Sequence, residues 1–510
     1  MKHRVGLIYV QGALPCFETF GNLPTDLIRE DGLVDGKPAS DMLDMIIIPG
    51  GSLVESQSIG TSLKSEISKM AEAGKLVLGI CSGFQILSNG TDVGRLSPTP
   101  IWKAGLGLLD VEFKPLICTD QIKATVVGAS GLTDDVGAEV SGFHCHTYGE
   151  ITIQKNAKPI LISHVNRLNY DKQKQDIVSG VTNLEGNVIG VLPHGLMDRN
   201  PIIIEEITKS LEIDKVELEE IRNINAKLVG AIKAEIGVST DIYLKNRIEN
   251  IERKKPRFLL ITALESGGGK TFVATGLAGA LKRRGWTVGL IKVGGDIRDI
   301  VPALYLTKEP MRDYSSIIVA ETGWKCLLES VNAAKRDYDF VIIEGAMNAF
   351  TGLLFDQIGR PNSTAEVAAA LGVPTIIVSG CDKEGIEGGI VNALSYVHFL
   401  KKMGIKVAGV ILNRVYLDYM NKETRAIVKK AFAGAGAELL GILPITNAEG
   451  RGAIPEVEIC YEMFGAKALT IAEKSLNLTR IVKAARPLDP TGFDYEDFVE
   501  KFKKALIEGL

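Results

Sequence analysis

Cysteine and histidine are scarce in this sequence of 510 residues, and long apolar runs are missing from it. Its seven cysteines, an odd number scattered along the chain, do not form a disulfide framework of the secreted kind. No apolar run approaches the roughly 18 residues that a membrane helix needs. The net charge of −4 argues against a protein that coats nucleic acid or an anionic membrane. We therefore expect a cytoplasmic protein without a nucleic-acid or membrane partner.

Short apolar runs that end in glycine or polar turns recur through the first 200 residues. They are typical of buried strands in an α/β sheet, and they lie at residues 5–10, 45–48, 76–80, 107–113, 124–127, 150–153 and 188–192. The first run is too short for the apolar core of a signal peptide, so we interpret it as a strand.

A second series of such runs follows at residues 258–262, 287–293, 340–343, 375–378 and 407–412. Between the two series, apolar residues at helical spacing stand among many Glu and Lys, which predicts helices at 203–211, 215–232 and 240–251. One hydrophobic core rarely organises so long a chain. We therefore predict two doubly wound α/β domains, at 1–200 and 257–510, joined by a helical linker at 201–256.

Cys81 lies at the corner between an apolar strand and a helix that starts with small residues, in the sequence GICSGFQ (residues 79–85). Such a turn exposes a nucleophile, and the free N–H groups of the new helix favour the thiolate. The glycine turn PGG at residues 49–51 follows a neighbouring predicted strand. We predict Cys81 as a nucleophile, with the backbone N–H groups of Gly51 and Ser82 as its oxyanion hole.

A cysteine nucleophile of this kind needs a base, and the sequence contains only six histidines. His194 directly follows an apolar run, in the sequence VLPHG at residues 191–195. That position makes it our candidate for the base, in preference to His144, His146 and His164.

A glycine-rich loop between a predicted strand and a predicted helix reads ALESGGGKT at residues 263–271. Gly267, Gly268 and Gly269 allow backbone N–H groups to surround a phosphate. Lys270 adds a positive charge there, and Thr271 can hold a magnesium ion. The loop therefore predicts a site for ATP.

Charged residues follow two further strands of the second series. Lys292 and Asp296 lie at the end of one strand, and Glu344 lies at the end of another. Active sites of open parallel sheets gather at these carboxyl edges. We predict Thr271, Asp296 and Glu344 as ligands of Mg²⁺, because hard oxygen donors suit a phosphate-bound magnesium ion, and we place Lys292 beside the phosphates.

The motifs of the first half together resemble the class I, triad-type glutamine amidotransferases, and most closely the branch found in cobyric and cobyrinic acid amide synthases. The resemblance covers roughly residues 3–200 and includes GLGLLDVE (105–112) and SGFHCH (141–146). It implies that Cys81 forms a thioester with L-glutamine and that His194 transfers the proton. Many amidotransferases have a glutamate two residues after this histidine, where the present chain has Leu196, so the orienting acid stays unassigned.

The second half resembles, over roughly residues 257–450, the synthetase domain of cobyrinic acid a,c-diamide synthase, cobyric acid synthase and, more remotely, dethiobiotin synthetase. The matching blocks are GGGKT (267–271), KVGGDIRD (292–299), EGAM (344–347), NSTAEVA (362–368) and GVILNR (409–414). Asn413 resembles the adenine-contacting position of that family. The family usually places its synthetase domain first, whereas here the order is reversed, and residues 454–481 diverge from it.

The resemblance implies ATP-driven, glutamine-dependent amidation of a carboxylate through an acyl phosphate. It implies L-glutamine and a tetrapyrrole such as cobyrinic acid as partners, in cobalamin biosynthesis, and leaves homo-oligomerisation open. One alternative is the same chemistry on another macrocycle, such as a nickel-sirohydrochlorin, or on a cell-wall carboxylate. Two others are a non-catalytic nucleotide sensor and a cysteine hydrolase linked to an unrelated ATPase.

Overall fold

The computed structural model describes residues 2–235, 255–355, 360–446, 461–488, 490 and 492–508. Their contacts group into two compact units. The first unit is built mainly on Met1–Glu235, and the second mainly on the described residues after position 254. Both units are α/β, which confirms the predicted fold class.

Short strands and helices alternate along the first unit. Its strands are β1 (Val5–Ile8), β2 (Asp26–Ile28), β3 (Leu33–Val34), β4 (Lys37–Pro38), β5 (Met45–Ile48), β6 (Leu76–Ile80), β7 (Gly90–Asp92), β8 (Trp102–Ala104), β9 (Val111–Lys114), β10 (Gln121–Val126), β11 (Glu139–Phe143), β12 (Glu150–Ile153), β13 (Ala157–Leu168), β14 (Asp171–Asn183) and β15 (Val188–Val191). Its helices are α1 (Ala39–Met42), α2 (Leu53–Ser56), α3 (Thr61–Glu72), α4 (Ser82–Leu87), α5 (Leu196–Arg199), α6 (Pro201–Ser210) and α7 (Lys215–Glu235).

The main sheet of the first unit has the order β11-β10-β13-β14-β15-β6-β5-β1-β2 within the described residues. The strands from β15 to β2 are parallel, as predicted. The remaining strands pair antiparallel, so the sheet is mixed where a parallel one was expected. The hairpin between β13 and β14 turns at Asn169 and Tyr170, which have φ values of 50° and 70°. Such a two-residue turn leaves no room for the crossover helix that a parallel pair requires.

The parallel strands are buried on both faces of this sheet. Ile47 and Leu78 pack into one hydrophobic cluster, and Ile46 and Val77 pack into the cluster on the opposite face. Double-sided burial explains why these strands are continuously apolar. Two of the predicted strands lie elsewhere: β9 and β12 belong to a separate sheet with the order β12-β9-β7-β8.

Helices α6 and α7 occupy most of the described part of the predicted linker. Their apolar stripes are buried, with Ile203, Ile207 and Ile221 in a hydrophobic cluster of the first unit, and the Asn225 side chain donates a hydrogen bond to the Pro24 carbonyl. The helix predicted at 240–251 lies outside the described residues. The domain boundaries stay predictions.

The second unit repeats the alternation with longer helices. Its strands are β16 (Arg257–Ala263), β17 (Val288–Val293), β18 (Ser316–Ile317), β19 (Phe340–Asn348), β20 (Thr375–Gly380), β21 (Val407–Val415) and β22 (Glu438–Pro444). Its helices are α8 (Lys270–Lys282), α9 (Val301–Thr307), α10 (Leu327–Asp337), α11 (Thr364–Leu371), α12 (Gly385–Lys402), α13 (Lys422–Gly434), α14 (Tyr461–Ser475), α15 (Leu478–Ala484) and α16 (Tyr495–Glu508).

The sheet of the second unit is parallel throughout its described strands, in the order β18-β17-β19-β16-β20-β21-β22. The five strands predicted for this half are present, and β18 and β22 extend the sheet at its two edges. The glycine-rich loop follows β16 at the centre of the sheet. Other strands of the same sheet carry Lys292 (β17), Glu344 (β19) and Asn413 (β21). Among the described helices, none is long and apolar enough to cross a membrane.

Candidate active site

The backbone at Cys81 has the strained geometry expected of a nucleophile elbow. Its φ of 51° and ψ of −107° are unfavourable for a residue with a side chain, and such strain costs about 1–3 kcal/mol. The close packing of the following helix depends on Gly83, because a Cβ there would overlap the Ile48 carbonyl oxygen. The strand β6 and the helix α4 thus hold Cys81 in one fixed place.

The glycine turn after β5 lies between the predicted nucleophile and the predicted base. A Cβ added at Gly50 would overlap His194 Cε1 and would lie 3.2 Å from His194 Nε2 and 3.4 Å from Cys81 Cβ. Gly51 has a φ of 138°, and a Cβ there would overlap the Gly12 carbonyl oxygen. The structure therefore brings Cys81, His194 and the glycine turn that contains Gly51 together.

His194 is held in its place by aromatic rings as well as by the backbone. Its ring stacks on Phe143 at a centroid distance of 5.3 Å and meets the edge of Phe17 at 5.0 Å. The backbones of His194 and Phe143 exchange two hydrogen bonds. The imidazole can therefore rotate little.

The structure identifies an acidic partner of His194 that the sequence analysis left unassigned. One carboxylate oxygen of Glu18 lies 2.5 Å from His194 Nδ1, and the other accepts a hydrogen bond of 2.5 Å from the Gly195 N–H. Both side chains are buried. Because Glu18 occupies Nδ1, the Nε2 atom of His194 is left for the side facing Cys81. Nothing in the spacing along the chain marks Glu18, which lies far upstream in an irregular segment.

Burial has the largest effect on the pKa of the Cys81 thiol. It raises the pKa of the thiol well above its usual range, while the hydrogen bond from the Ser82 N–H lowers that pKa. The sequence analysis expected the helix N-terminus to favour the thiolate, but here desolvation is the larger effect. A resting thiol at Cys81 needs a base to remove its proton.

The other histidines weighed as bases have contacts of their own. His146 Nδ1 lies 3.1 Å from the Leu116 carbonyl oxygen, and its Nε2 lies 3.1 Å from His144 Nδ1. Burial lowers the pKa of His144 well below its usual range, so that ring is neutral. His164 is partly exposed and contacts Asp176 on the β13–β14 hairpin.

The phosphate loop of the second unit has the predicted glycine geometry. Gly267 and Gly269 have φ values of 74° and 96°, which favour glycine. A Cβ at Gly269 would overlap Asn413 Nδ2, and this amide donates a hydrogen bond of 3.1 Å to the Gly268 carbonyl oxygen. Asn413 therefore contacts the loop itself, beside α8.

Lys270 and Thr271 both point towards β19. Lys270 Nζ donates a hydrogen bond of 2.7 Å to the Met347 carbonyl oxygen, and Thr271 Oγ1 donates one of 2.7 Å to Glu344 Oε1. Burial and the neighbouring Lys292 lower the pKa of Lys270. Two of the three predicted magnesium ligands, Thr271 and Glu344, are thus in contact.

The third predicted ligand, Asp296, contacts a different side chain. Its carboxylate forms an ion pair of 3.0 Å with Arg298, and although burial opposes the effect, Arg298 lowers the pKa of Asp296. Lys292 forms an ion pair with Asp299 and lies 3.8 Å from Glu344. The described residues contain no group of three His, Cys, Asp or Glu side chains that could hold a metal by themselves.

Buried charges surround Glu344. Burial raises the pKa of Glu344 to about 7, although Lys292 lowers it. Burial lowers the pKa of Lys292, but Asp299 and Glu344 outweigh that effect, so this pKa is raised. Glu344 Oε2 is buried and has no hydrogen-bond partner among the described residues. Glu344 Oε2 can therefore accept a cation or a further hydrogen-bond donor.

Both halves of the chain match known domain families. Residues 13–202 match the CobB/CobQ-like glutamine amidotransferase domain, and residues 259–451 match the CobQ/CobB/MinD/ParA nucleotide binding domain. Each half of the chain is thus similar to a different domain family. The matches confirm both predicted resemblances, in the predicted order.

Curated relatives include a,c-diamide synthases named for hydrogenobyrinate and for cobyrinate. Hydrogenobyrinate a,c-diamide synthase of Mycobacterium bovis is 35% identical over 189 residues, which are 36% of this chain and 39% of the relative. Cobyrinate a,c-diamide synthase of Streptococcus sanguinis is 30% identical over 241 residues, 44% of this chain and 49% of the relative. The chain therefore spans 39% to 49% of the length of these relatives.

Solved structures also resemble parts of the chain at low similarity. The PurLQS structure from Thermotoga maritima is 22% identical, covers 41% of this chain and 100% of that chain, and has a TM-score of 0.32. The MinD cell division protein of Aquifex aeolicus is 15% identical, covers 50% of this chain and 98% of that chain, and has a TM-score of 0.27. At these scores neither likeness carries an argument.

Proposed function

We propose that the chain is a glutamine-dependent amidoligase that converts a substrate carboxylate to a carboxamide with ATP. The observation that carries this proposal is the contact of Glu18 with His194, beside Cys81 and the glycine turn. A nucleophile, a base and an acid in this order suit the hydrolysis of an amide. The nucleotide-binding domain in the same chain can activate a carboxylate with ATP, and the released ammonia can then react with that activated group.

In the first unit, His194 Nε2 takes the proton of Cys81 and the sulfur attacks the carboxamide carbon of glutamine. Backbone N–H groups of Gly51 and Ser82 stabilise the oxyanion. His194 returns the proton to the leaving nitrogen, so ammonia departs and a glutamyl thioester remains. Water then attacks the thioester and releases glutamate, which restores the thiol. Glu18 stabilises the imidazolium form of His194 in both stages.

In the second unit, a carboxylate oxygen of the acceptor attacks the γ-phosphorus of ATP and ADP leaves. Ammonia then attacks the acyl carbon, inorganic phosphate leaves, and a carboxamide remains once the nitrogen has lost a proton. Lys270 and Lys292 offset the negative charge on the transferred group, and the loop N–H groups bind the neighbouring phosphates.

The second unit also fits a magnesium ion, which neutralises phosphate charge when it is bound. Thr271 Oγ1 and Glu344 would hold it, because Glu344 Oε2 is buried without a partner in the described part of the chain. Asp296 remains a proposed ligand through its position at a strand end. Asn413 is a proposed adenine contact, supported by its place against the phosphate loop.

A tetrapyrrole acid of the cobyrinic type is the acceptor that we propose. Its support is the identity of 30–35% to relatives named for hydrogenobyrinate and cobyrinate. Mass spectrometry of such acids, incubated with the protein, glutamine, ATP and Mg²⁺, tests the acceptor directly. Replacement of a carboxyl OH by NH₂ is expected, and an unchanged mass for every tetrapyrrole acid would remove this substrate class.

Replacement of Cys81 by Ala tests the division of labour. This variant should lose amidation with glutamine but keep amidation with added ammonium salts. The matched control is Cys326→Ala, because Cys326 is an exposed cysteine of the second unit. Equal loss of both activities in Cys81→Ala would contradict the two-site mechanism.

A further inference from the structure

The segment that carries Glu18 continues into a turn with an unusual backbone. Phe20, Gly21 and Asn22 have φ values of 50°, 63° and 57°, which are left-handed conformations. Such conformations are unfavourable for residues with a side chain, so this turn persists only where its surroundings hold it. A Cβ at Gly21 would overlap Ile204 Cδ1 of α6, so the turn also lies closely against that helix.

Asp198, the third residue of α5, accepts three hydrogen bonds from this turn. Its Oδ2 atom accepts one of 2.8 Å from the Thr19 N–H, and its Oδ1 atom accepts one of 2.8 Å from the Gly21 N–H. The Thr19 hydroxyl donates the third, of 2.5 Å, to Oδ1. Hydrogen bonds to a carboxylate are about twice as strong as those between neutral groups. Asp198 therefore fixes the backbone immediately after Glu18.

Glu18 and Asp198 bind the two segments to each other in both directions. Glu18 belongs to the N-terminal segment and contacts the backbone of Gly195, directly before α5. Asp198 belongs to α5 and contacts the backbone of Thr19, directly after Glu18. The contacts thus close a ring that includes only the single turn of α5 on one side and one peptide bond on the other. A movement of Glu18 away from the base would therefore also break the contacts between Thr19 and Asp198.

We infer that Asp198 is a positioning residue of the glutaminase reaction, which holds Glu18 at Nδ1 of His194. The inference rests on the proposed glutamine-dependent function and adds a residue that acts on the base through Glu18 alone. Asp198 is exposed, whereas Glu18 and His194 are buried. The positioning contacts are thus separate from the reacting atoms. Because water weakens charged hydrogen bonds at the surface, their loss should lower the rate less than the loss of Glu18 itself.

A double-mutant cycle tests this role. Asp198→Ala should lower kcat for glutamine hydrolysis by about tenfold, with KM within about twofold and ammonia-dependent amidation unchanged. In Glu18→Ala, where no carboxylate remains to be positioned, the same substitution should change kcat by less than about twofold. The control is Asp214→Ala, because Asp214 is an exposed aspartate that accepts two backbone hydrogen bonds at the start of α7. This control should keep the wild-type kcat.

Equal losses of kcat in the two backgrounds would overturn the inference, because Asp198 would then act independently of Glu18. An unchanged kcat in Asp198→Ala, or a loss confined to KM, would overturn it as well. If thermal unfolding shows that Asp198→Ala does not fold, Asp198→Asn replaces it in the cycle, since an amide retains one acceptor oxygen. Failure of the proposed function has a different sign: the wild type would release no glutamate from glutamine, or Cys81→Ala would release it as well.

Discussion

The carboxylate of Glu18 contacts both His194 Nδ1 and the N–H of Gly195, although 176 residues separate Glu18 from His194 in the chain. One carboxylate thus fixes the ring and the backbone of the base at once. Both contacts are buried, so they act in a medium where charge interactions are stronger than in water. The orientation of the base therefore depends on a residue of the N-terminal segment.

Glu18→Gln tests this dependence. An amide keeps the size of the side chain but removes the negative charge that stabilises the imidazolium. We expect the glutamine-dependent rate to fall by roughly 10²–10⁴-fold, with the ammonia-dependent rate unchanged. The control is Glu150→Gln, which changes an exposed carboxylate of the same unit. A glutamine-dependent rate within threefold of the wild type, a margin of about 0.6 kcal/mol, would contradict the role of Glu18.

Gly50→Ala tests the space between the nucleophile and the base. The added methyl group overlaps His194 Cε1, so it should displace the imidazole from Cys81 and lower glutaminase activity by at least about 100-fold. Gly60→Ala is the control, because a Cβ there meets no atom within 4 Å. Thermal unfolding should separate a displaced base from a lost fold. A stable and fully active Gly50→Ala protein would show that the overlap is harmless.

Lys270→Met tests the phosphate loop. Methionine retains the length of the side chain but removes the charge, so we expect ATP affinity, followed by a fluorescent ATP analogue, to fall by at least about tenfold. Lys429→Met, at an exposed position of α13, should bind ATP as the wild type does. ATP-dependent amide formation that persists in Lys270→Met would remove the assignment of this loop.

Glu344→Gln tests the raised pKa of the Glu344 carboxyl group, in protein free of nucleotide and metal. Because the folded pKa of about 7 lies above the ordinary value of 4.5, the folded chain binds the extra proton. Stability should therefore fall as the pH rises from about 4.5 to about 7, by up to about 3 kcal/mol, and this dependence should be absent from Glu344→Gln.

Urea unfolding at pH 5 and pH 8 measures this effect. Glu344→Gln should gain stability relative to the wild type at pH 8 and gain little at pH 5. Glu387→Gln, which changes an exposed carboxylate of the same unit, should show no such difference. The same stability difference between Glu344→Gln and the wild type at both pH values would show that Glu344 is ionised throughout.

Local sequence patterns carry most information where a strand, a turn and a helix follow one another without a break. Cys81 lies between a buried strand and a helix, and Lys270 begins the helix that follows the glycine-rich loop, so local sequence indicates their surroundings. The contact between Glu18 and His194 depends on tertiary packing, which no local pattern contains. Strand β18 was missed because it has two residues, and the antiparallel half of the first sheet because its tight turn at Asn169 and Tyr170 lacks glycine.

The place of Glu18 also bears on how such chains are found. Leu196 stands where many amidotransferases have their acidic residue, and here it is buried in the hydrophobic core. A search keyed to a glutamate two residues after the histidine would pass over this chain, although a carboxylate stands at the ring nitrogen. The acid is defined by its position beside His194 Nδ1, and different segments of a chain can supply a carboxylate there.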